Sequence, residues 1–219
     1  MINHHPPLEL LVDYVTGSLN EGMALGIASH VALCALCRAR VPSLQAMGGA
    51  LLDDLPPAAC DGRALASVMA RLDDAIEIAE PSPATALDAE TTATVPYPLH
   101  RYLAASLRDL PWHSVGRWFD EVRLPLHVKG IKASLMRIKP GTLMPRHDHR
   151  GVEFTLVLAG GYRDEGHSFR RGDFDLKDVD HPHQPVVDED GECICLAVLD
   201  APVKLTGSLG LLVNPFLRL

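Results

Sequence analysis

The apolar residues of this chain change their period part-way along it, and that restricts the sequence to two unlike folding units. Up to about residue 80 the spacing is helical. Leu8, Leu11, Val12 and Val15 recur at i, i+3, i+4 and i+7, which predicts a helix over 8–16 stopped near Gly17. Helical spacing resumes from Glu21 to about Arg40, with a break near Cys34 and Cys37. Pro42 is expected to end that stretch, since proline lacks the N–H and clashes with the preceding turn. Ser43 can then cap a short helix to about Leu52, weakened by Gly48-Gly49. After Leu55-Pro56-Pro57, Asp61 can cap a last helix through about Ile78, with Leu65, Val68, Met69, Leu72 and Ile76 on one side. From residue 112 onward the pattern becomes short runs rich in apolar and β-branched residues, at 112–115, 126–128, 133–138, 154–158 and 194–199. Pro140-Gly141, Gly160-Gly161, Arg171-Gly172-Asp173 and Asp190-Gly191 punctuate them. Many short strands at this spacing predict an antiparallel barrel or sandwich.

Between the two patterns lies Glu80 to Pro96, rich in Pro, Ala, Thr and acid and without apolar periodicity. A structureless stretch of about 15 residues is unusual inside one compact domain. The expected organisation is therefore a helical domain at 1–80, an extended linker at 81–96 and a β domain at 97–219. Charge divides at the same place. Residues 1–96 carry twelve acidic and four basic side chains, whereas residues 97–219 carry sixteen of each. The net charge of −8 argues against a chain that works by neutralising phosphate, and no basic recognition helix is evident. No uninterrupted apolar run approaches the ~20 residues of a bilayer span. The start Met1-Ile2-Asn3-His4-His5-Pro6-Pro7 lacks the features of a secretory signal. A cytoplasmic location is expected, which the odd count of five cysteines fits, because thiols in a reducing compartment serve as metal ligands or core residues.

Two constellations carry chemistry. In the first, His30 and Cys34 are four apart and share a helix face, and Cys37 follows at a gap that lets both thiolates reach one ion. Zinc takes four tetrahedral N/S ligands. Three come from this eight-residue span, and His4 and His5 are the available donors for the fourth. A small core of about 75 residues in short helices gains stability from such a staple. The competing interpretation is two small core thiols and a solvated histidine. The second constellation is Gly141-x5-His147-x-His149-x3-Glu153-x6-Gly160, followed by His183. On an extended segment His147 and His149 project to one side, and three imidazoles with one carboxylate suit zinc, iron, nickel, manganese or copper. His181 competes with His183 for the last place. Cys193 and Cys195 sit on one side of a strand. They are read first as small buried core residues, with oxidant-sensitive thiols as the other possibility. Cys60 has no evident partner.

These residues also carry a resemblance. The spacing from Gly141 through Gly160 is similar to the first cupin motif at every fixed position. The second motif departs from the pattern, with Asp178-Val179-Asp180 where Pro-x-Gly is usual and Val187 where Asn is usual. His5 followed by His30-x3-Cys34-x2-Cys37 in an acidic helical domain resembles the zinc-binding anti-sigma domain. The order of the two resembles the ChrR-type anti-sigma factors along essentially the whole chain. Further matching segments are Leu33-Cys34-x2-Cys37-Arg38-Ala39-Arg40, Tyr162-Arg163-Asp164-Glu165, Cys193-Ile194-Cys195-Leu196-Ala197 and Pro215-Phe216. The resemblance implies a multidomain α + β protein, with a zinc-stapled four-helix domain and then an antiparallel cupin barrel. It also implies structural zinc on His5, His30, Cys34 and Cys37, and a second divalent metal, expected to be zinc, on His147, His149, Glu153 and His183. The implied function is sequestration of an extracytoplasmic-function sigma factor, one to one, with release under oxidative stress such as singlet oxygen. A metal-dependent cupin dioxygenase with a helical accessory domain is the alternative, although nothing besides the ligands announces a substrate site.

Overall fold

The computed structural model describes residues 1–72, 86–179, 182–201 and 203–205. Helix α1 (Leu8–Thr16) ends at Gly17, which adopts φ 73° in the left-handed region that favours glycine. In α2 (Glu21–Leu33), Asn20 caps the N-terminus by accepting a hydrogen bond from Met23 N. The break expected at the cysteine pair falls on Cys34. This residue leaves helical geometry (φ −98°, ψ 110°) and becomes the N-cap of α3 (Ala35–Asp53), its thiol accepting from Cys37 N. The chain turns by 118° there. Pro42 does not end α3 as expected. The carbonyl that loses its partner belongs to Arg38, on an exposed face of the helix where solvent can satisfy it. Helix α4 (Ala64–Ala70) follows the turn at Asp61, whose carboxylate accepts from Arg63 N. The expected continuation to Ile78 lies outside the described residues.

The described part of the expected linker is not extended. Asp88 caps α5 (Ala89–Thr94), accepting from Thr91 N at 2.7 Å. Thr91 is fully buried, its hydroxyl accepting from Leu107 N. A polar six-residue helix is marginal alone. Here the buried Val95 and the Arg171 guanidinium, which donates to the carbonyls of Ala93 and Thr94, fix it. Helix α6 (Tyr97–His100) comes next and packs against α2.

Eleven strands follow among the described residues: β1 (His113–Val115), β2 (Phe119–Arg123), β3 (Lys132–Ile138), β4 (His147–His149), β5 (Glu153–Ala159), β6 (Gly161–Asp164), β7 (His167–Arg170), β8 (Phe174–Lys177), β9 (Val186–Val187), β10 (Cys193–Leu199) and β11 (Val203–Leu205). The run at 126–128, read as a strand, is instead part of the β2–β3 connection, where Leu126 N donates to Leu124 O. The strands form antiparallel sheets in the orders β1-β2-β3-β10-β5-β8, β7-β6-β9 and β11-β4.

Alternation along two central strands divides the interior. Phe154, Leu156 and Leu158 of β5 and Leu196 and Val198 of β10 join α1 and α2 in one core with Leu11, Ile27 and Phe174. From the opposite faces of the same strands, Val157, Cys193 and Cys195 meet Ile138, Met144, Tyr162, Phe169 and Val187 inside the barrel. The helices thus lie directly on the outer face of the large sheet. Gly22 and Gly26 let α2 approach it closely. A Cβ at Gly26 would stand 1.7 Å from Phe154 Cζ, and one at Gly22 would stand 2.7 Å from Ile131 Cγ2.

Candidate metal centres

The segment leading to α1 crosses the β7–β8 turn. There Asn3 N and His4 N both donate to Asp173 Oδ1, at 2.6 and 2.9 Å. The His4 ring lies against Phe169, tilted by 37° with ring centres 4.4 Å apart. Its neighbour therefore faces the other way, and His5 Nδ1 stands 3.4 Å from Cys34 Sγ and 3.6 Å from Cys37 Sγ. His30 is fully buried near the end of α2, with Nε2 3.3 Å from Cys37 Sγ. The donor atoms of His5, His30, Cys34 and Cys37 all lie within 4.8 Å of one another. A tetrahedron with the bond lengths of zinc to nitrogen and sulfur has edges of roughly 3.3–3.8 Å, so the spacing fits such an ion. His4, left open beside His5 in the sequence, is outside this cluster.

The electrostatics agree with the donor set. Burial pushes His30 down to about 4, leaving a neutral imidazole with a lone pair to give. Its Nδ1 lies 2.8 Å from the Gly172 carbonyl, a bond that requires Nδ1–H and so leaves Nε2 as the acceptor. Burial, with the adjacent Cys34, pushes Cys37 up to about 11. Cys37 gives up its proton readily only against a cation.

The second cluster belongs to the β part of the chain. His147 and His149 are on β4, and Glu153 opens β5. His183 is held opposite His147 by reciprocal backbone bonds, His147 N donating to His183 O and His183 N to His147 O. His149 Nε2 is 2.9 Å from His183 Nε2, and His149 Nδ1 is 3.0 Å from Glu153 Oε2. The four donor atoms again lie within 4.8 Å of one another. Glu153 Oε2 is buried, and although His149 Nδ1 is near it the pair does not have hydrogen-bond geometry, an arrangement that suits a cation among three imidazoles. Burial pushes Glu153 up, but the surrounding His149, His147 and His183 outweigh it and hold the carboxyl below its ordinary value. His181 lies outside the described residues.

Outer partners orient two of these rings. His147 Nδ1 donates to Pro145 O, and His183 Nδ1 donates to Asp164 Oδ2 at 2.6 Å. Asp164 is itself buried and paired with Lys177 Nζ at 3.1 Å. Burial pushes Asp164 up, yet His183 and Lys177 together keep it below the usual carboxylate range. Sequence reasoning passed over Asp164 as a site residue. Its signal was an acid two positions from Tyr162 on the inward face of a strand, which becomes legible only once the inward face is known. Cys193 and Cys195 are buried beside these groups. The hydrogen bond with Cys193, and then burial, push Cys195 well up, so Cys195 behaves as a neutral core group here. Cys60 is exposed and remote from both clusters.

Comparison with known proteins agrees with this architecture. The family model of the ChrR cupin-like domain matches residues 101–201. The chain is 40% identical over 218 residues to the anti-sigma-E factor ChrR of Cereibacter sphaeroides, covering 100% of this chain and 99% of that one. A crystal structure of Rhodobacter sphaeroides SigE in complex with the anti-sigma ChrR matches with a TM-score of 0.76 at 38% identity, covering 91% of this chain and 100% of the matched one.

Proposed function

Because the chain belongs to the ChrR family of anti-sigma factors, we propose that it sequesters an extracytoplasmic-function sigma factor, one to one, in the cytoplasm and releases it under oxidative stress such as singlet oxygen. The observation that carries this reading is the apolar surface of α3, α4 and the residues that join and follow them. Met47, Leu51, Leu52, Leu55, Leu65, Val68, Met69 and Leu72 are all more than half exposed. An apolar surface this large marks a partner site. The acidic charge of the same part of the chain complements a basic, DNA-binding partner. No single helix among the described residues is long and apolar enough to cross a membrane.

In this reading residues 1–80 are the sequestering unit, residues 81–96 join it to the remainder, and residues 97–219 are the sensor. Zinc on His5, His30, Cys34 and Cys37 would supply a covalent-strength cross-link between the N-terminal segment and the α2–α3 corner, holding α3 at its angle to α2. His147, His149, Glu153 and His183 would hold a second divalent metal, proposed to be zinc as well, because a d10 ion accepts a mixed N/O set without a geometric demand of its own. The second centre is read as a sensor and not as a turnover site, and the end-to-end similarity to a regulator supports that over a dioxygenase.

Co-expression of the full chain with the sigma factor encoded nearest to its gene tests the reading. The expected result is a one-to-one complex on sizing. It is expected to be lost in a chain carrying Leu51→Asp and Leu65→Asp, with bound metal unchanged. Absence of any complex with the native chain would overturn the proposal.

A further inference from the structure

We propose that the β7–β8 turn belongs to the N-terminal metal centre: the Gly172 carbonyl and the Asp173 carboxylate position His30 and His5, so that docking of the helices on the sheet and retention of their metal are one linked equilibrium. The inference rests on the ligand set above, and it supplies a route by which a sensor could act on a sequestering unit.

The contacts come from residues about 140 to 170 positions away in sequence. His30 Nδ1–H donates to Gly172 O, which fixes the tautomer and aims Nε2 at Cys37. Asp173 is fully buried. Its Oδ1 accepts from Asn3 N and His4 N, its Oδ2 accepts from Arg170 N, and Phe174 N donates to His4 O. The two residues before His5 are thereby laid along the turn, and the position of the His5 ring follows from theirs. Gly172 adopts φ +88°, and a Cβ there would stand 2.4 Å from Ile2 Cδ1, so the N-terminal segment seats on a surface shaped for it. Arg171 ties the same turn to the carbonyl of Leu158 on β5 and to those of Ala93 and Thr94 on α5.

The turn is also connected to the second centre. The His4 ring lies tilted against Phe169, Phe169 stacks on Tyr162 at 5.0 Å, and Tyr162 shares β6 with Asp164, the carboxylate that holds His183. A rearrangement of β6 and β7 would move the floor under the N-terminal segment. Outer partners of metal-bound histidines typically contribute 10–100-fold to metal affinity, and linkage requires that the factor by which docking strengthens metal binding equals the factor by which the metal strengthens docking.

Cobalt(II) isolates the N-terminal centre, because only it has thiolate ligands and hence sulfur-to-cobalt charge-transfer absorption. The affinity of the full chain for cobalt is measured at that band against a competing chelator. Asp173→Ala is expected to weaken it about 10–100-fold, with partial recovery in Asp173→Asn, which keeps an acceptor for Asn3 N and His4 N. Gly22→Leu, which touches no ligand and drives α2 off Ile131 and Val198, is expected to weaken it as well. Native affinity in Asp173→Ala would overturn the positioning role. Native affinity in a Gly22→Leu chain whose α2 amides exchange faster would overturn the linkage, and this variant decides the matter if Asp173→Ala does not fold. The measurement needs no sigma factor, so failure to capture one would count against the proposed function and leave this inference standing.

Discussion

Gly26→Ala sets two effects of opposite sign against each other and tests whether the helices rest on the sheet as described. In an isolated helix this exchange is favourable by about 1 kcal/mol, because alanine loses less backbone freedom than glycine. In this structure the new methyl would stand 1.7 Å from Cζ and 2.2 Å from Cε2 of Phe154. An ordinary contact is about 3.5–4.0 Å, so the ring would have to move by about 2 Å. Phe154 is fully buried and stacked on Phe174 at 4.9 Å, so the ring cannot swing aside freely. Overpacking of this kind costs about 1–3 kcal/mol, and the absence of slack places it at the upper end. The net effect is a destabilisation of about 2 kcal/mol, or about 4–8 °C in the thermal midpoint for a chain of this size. Thermal unfolding followed by circular dichroism reads it. Adding Phe154→Leu to Gly26→Ala shortens the opposing side chain and is expected to recover part of the loss, although Phe154→Leu alone leaves a void and destabilises. A Gly26→Ala chain as stable as the native one, or more so, would mean that helix propensity acts unopposed and that α2 does not pack on β5 in this way.

Two further outcomes follow from the polar contacts. Asp164→Ala removes the acceptor from His183 Nδ1 and is expected to lower metal affinity at the second centre by about 10–100-fold. Metal content after dialysis against a graded chelator measures this. Glu21 joins α2 to the β part by accepting from His127 N and from Tyr102 Oη. The bond with the His127 side chain is the main reason that its carboxyl is held down at about 2 against an ordinary 4.5. A depressed carboxylate contributes stability that is present above the unfolded value and disappears as pH falls toward the folded one. The native chain is therefore expected to lose its advantage over Glu21→Gln between about pH 4.5 and 2. Urea midpoints at a series of pH values would show the two curves converging, and parallel curves would refute the pairing.

Much of this protein was legible from local spacing. His30, Cys34 and Cys37 are brought together by one helical turn and the break that follows it. His147, His149 and Glu153 are brought together by strand alternation around one short turn. Geometry over fewer than ten residues depends almost entirely on backbone periodicity, which sequence displays directly. The misreadings also had local causes. Pro42 reads as a stop in sequence because the exposure of the Arg38 carbonyl it frees is not visible there, and the polar run near Asp88 reads as extended although burial of Thr91 and Val95 makes it helical.

What the tertiary structure alone decided was each choice between neighbours and each contact across the two patterns. His5 instead of His4 joins the cysteines because the His4 ring lies against Phe169 while Asp173 and Phe174 N hold the His4 backbone from its two ends. His183 reaches its cluster because an antiparallel bridge sets it opposite His147. Gly172, Asp173 and Asp164 had no periodicity to mark them, and they acquire roles only when strands far apart in sequence are laid side by side. Periodicity determines which face of an element a residue occupies. Which face then meets which is settled by burying the apolar side of α2 and β5 together and by pairing polar groups enclosed beside them, such as His30 with Gly172 and Asp173 with the N-terminal segment, which no single segment can do alone.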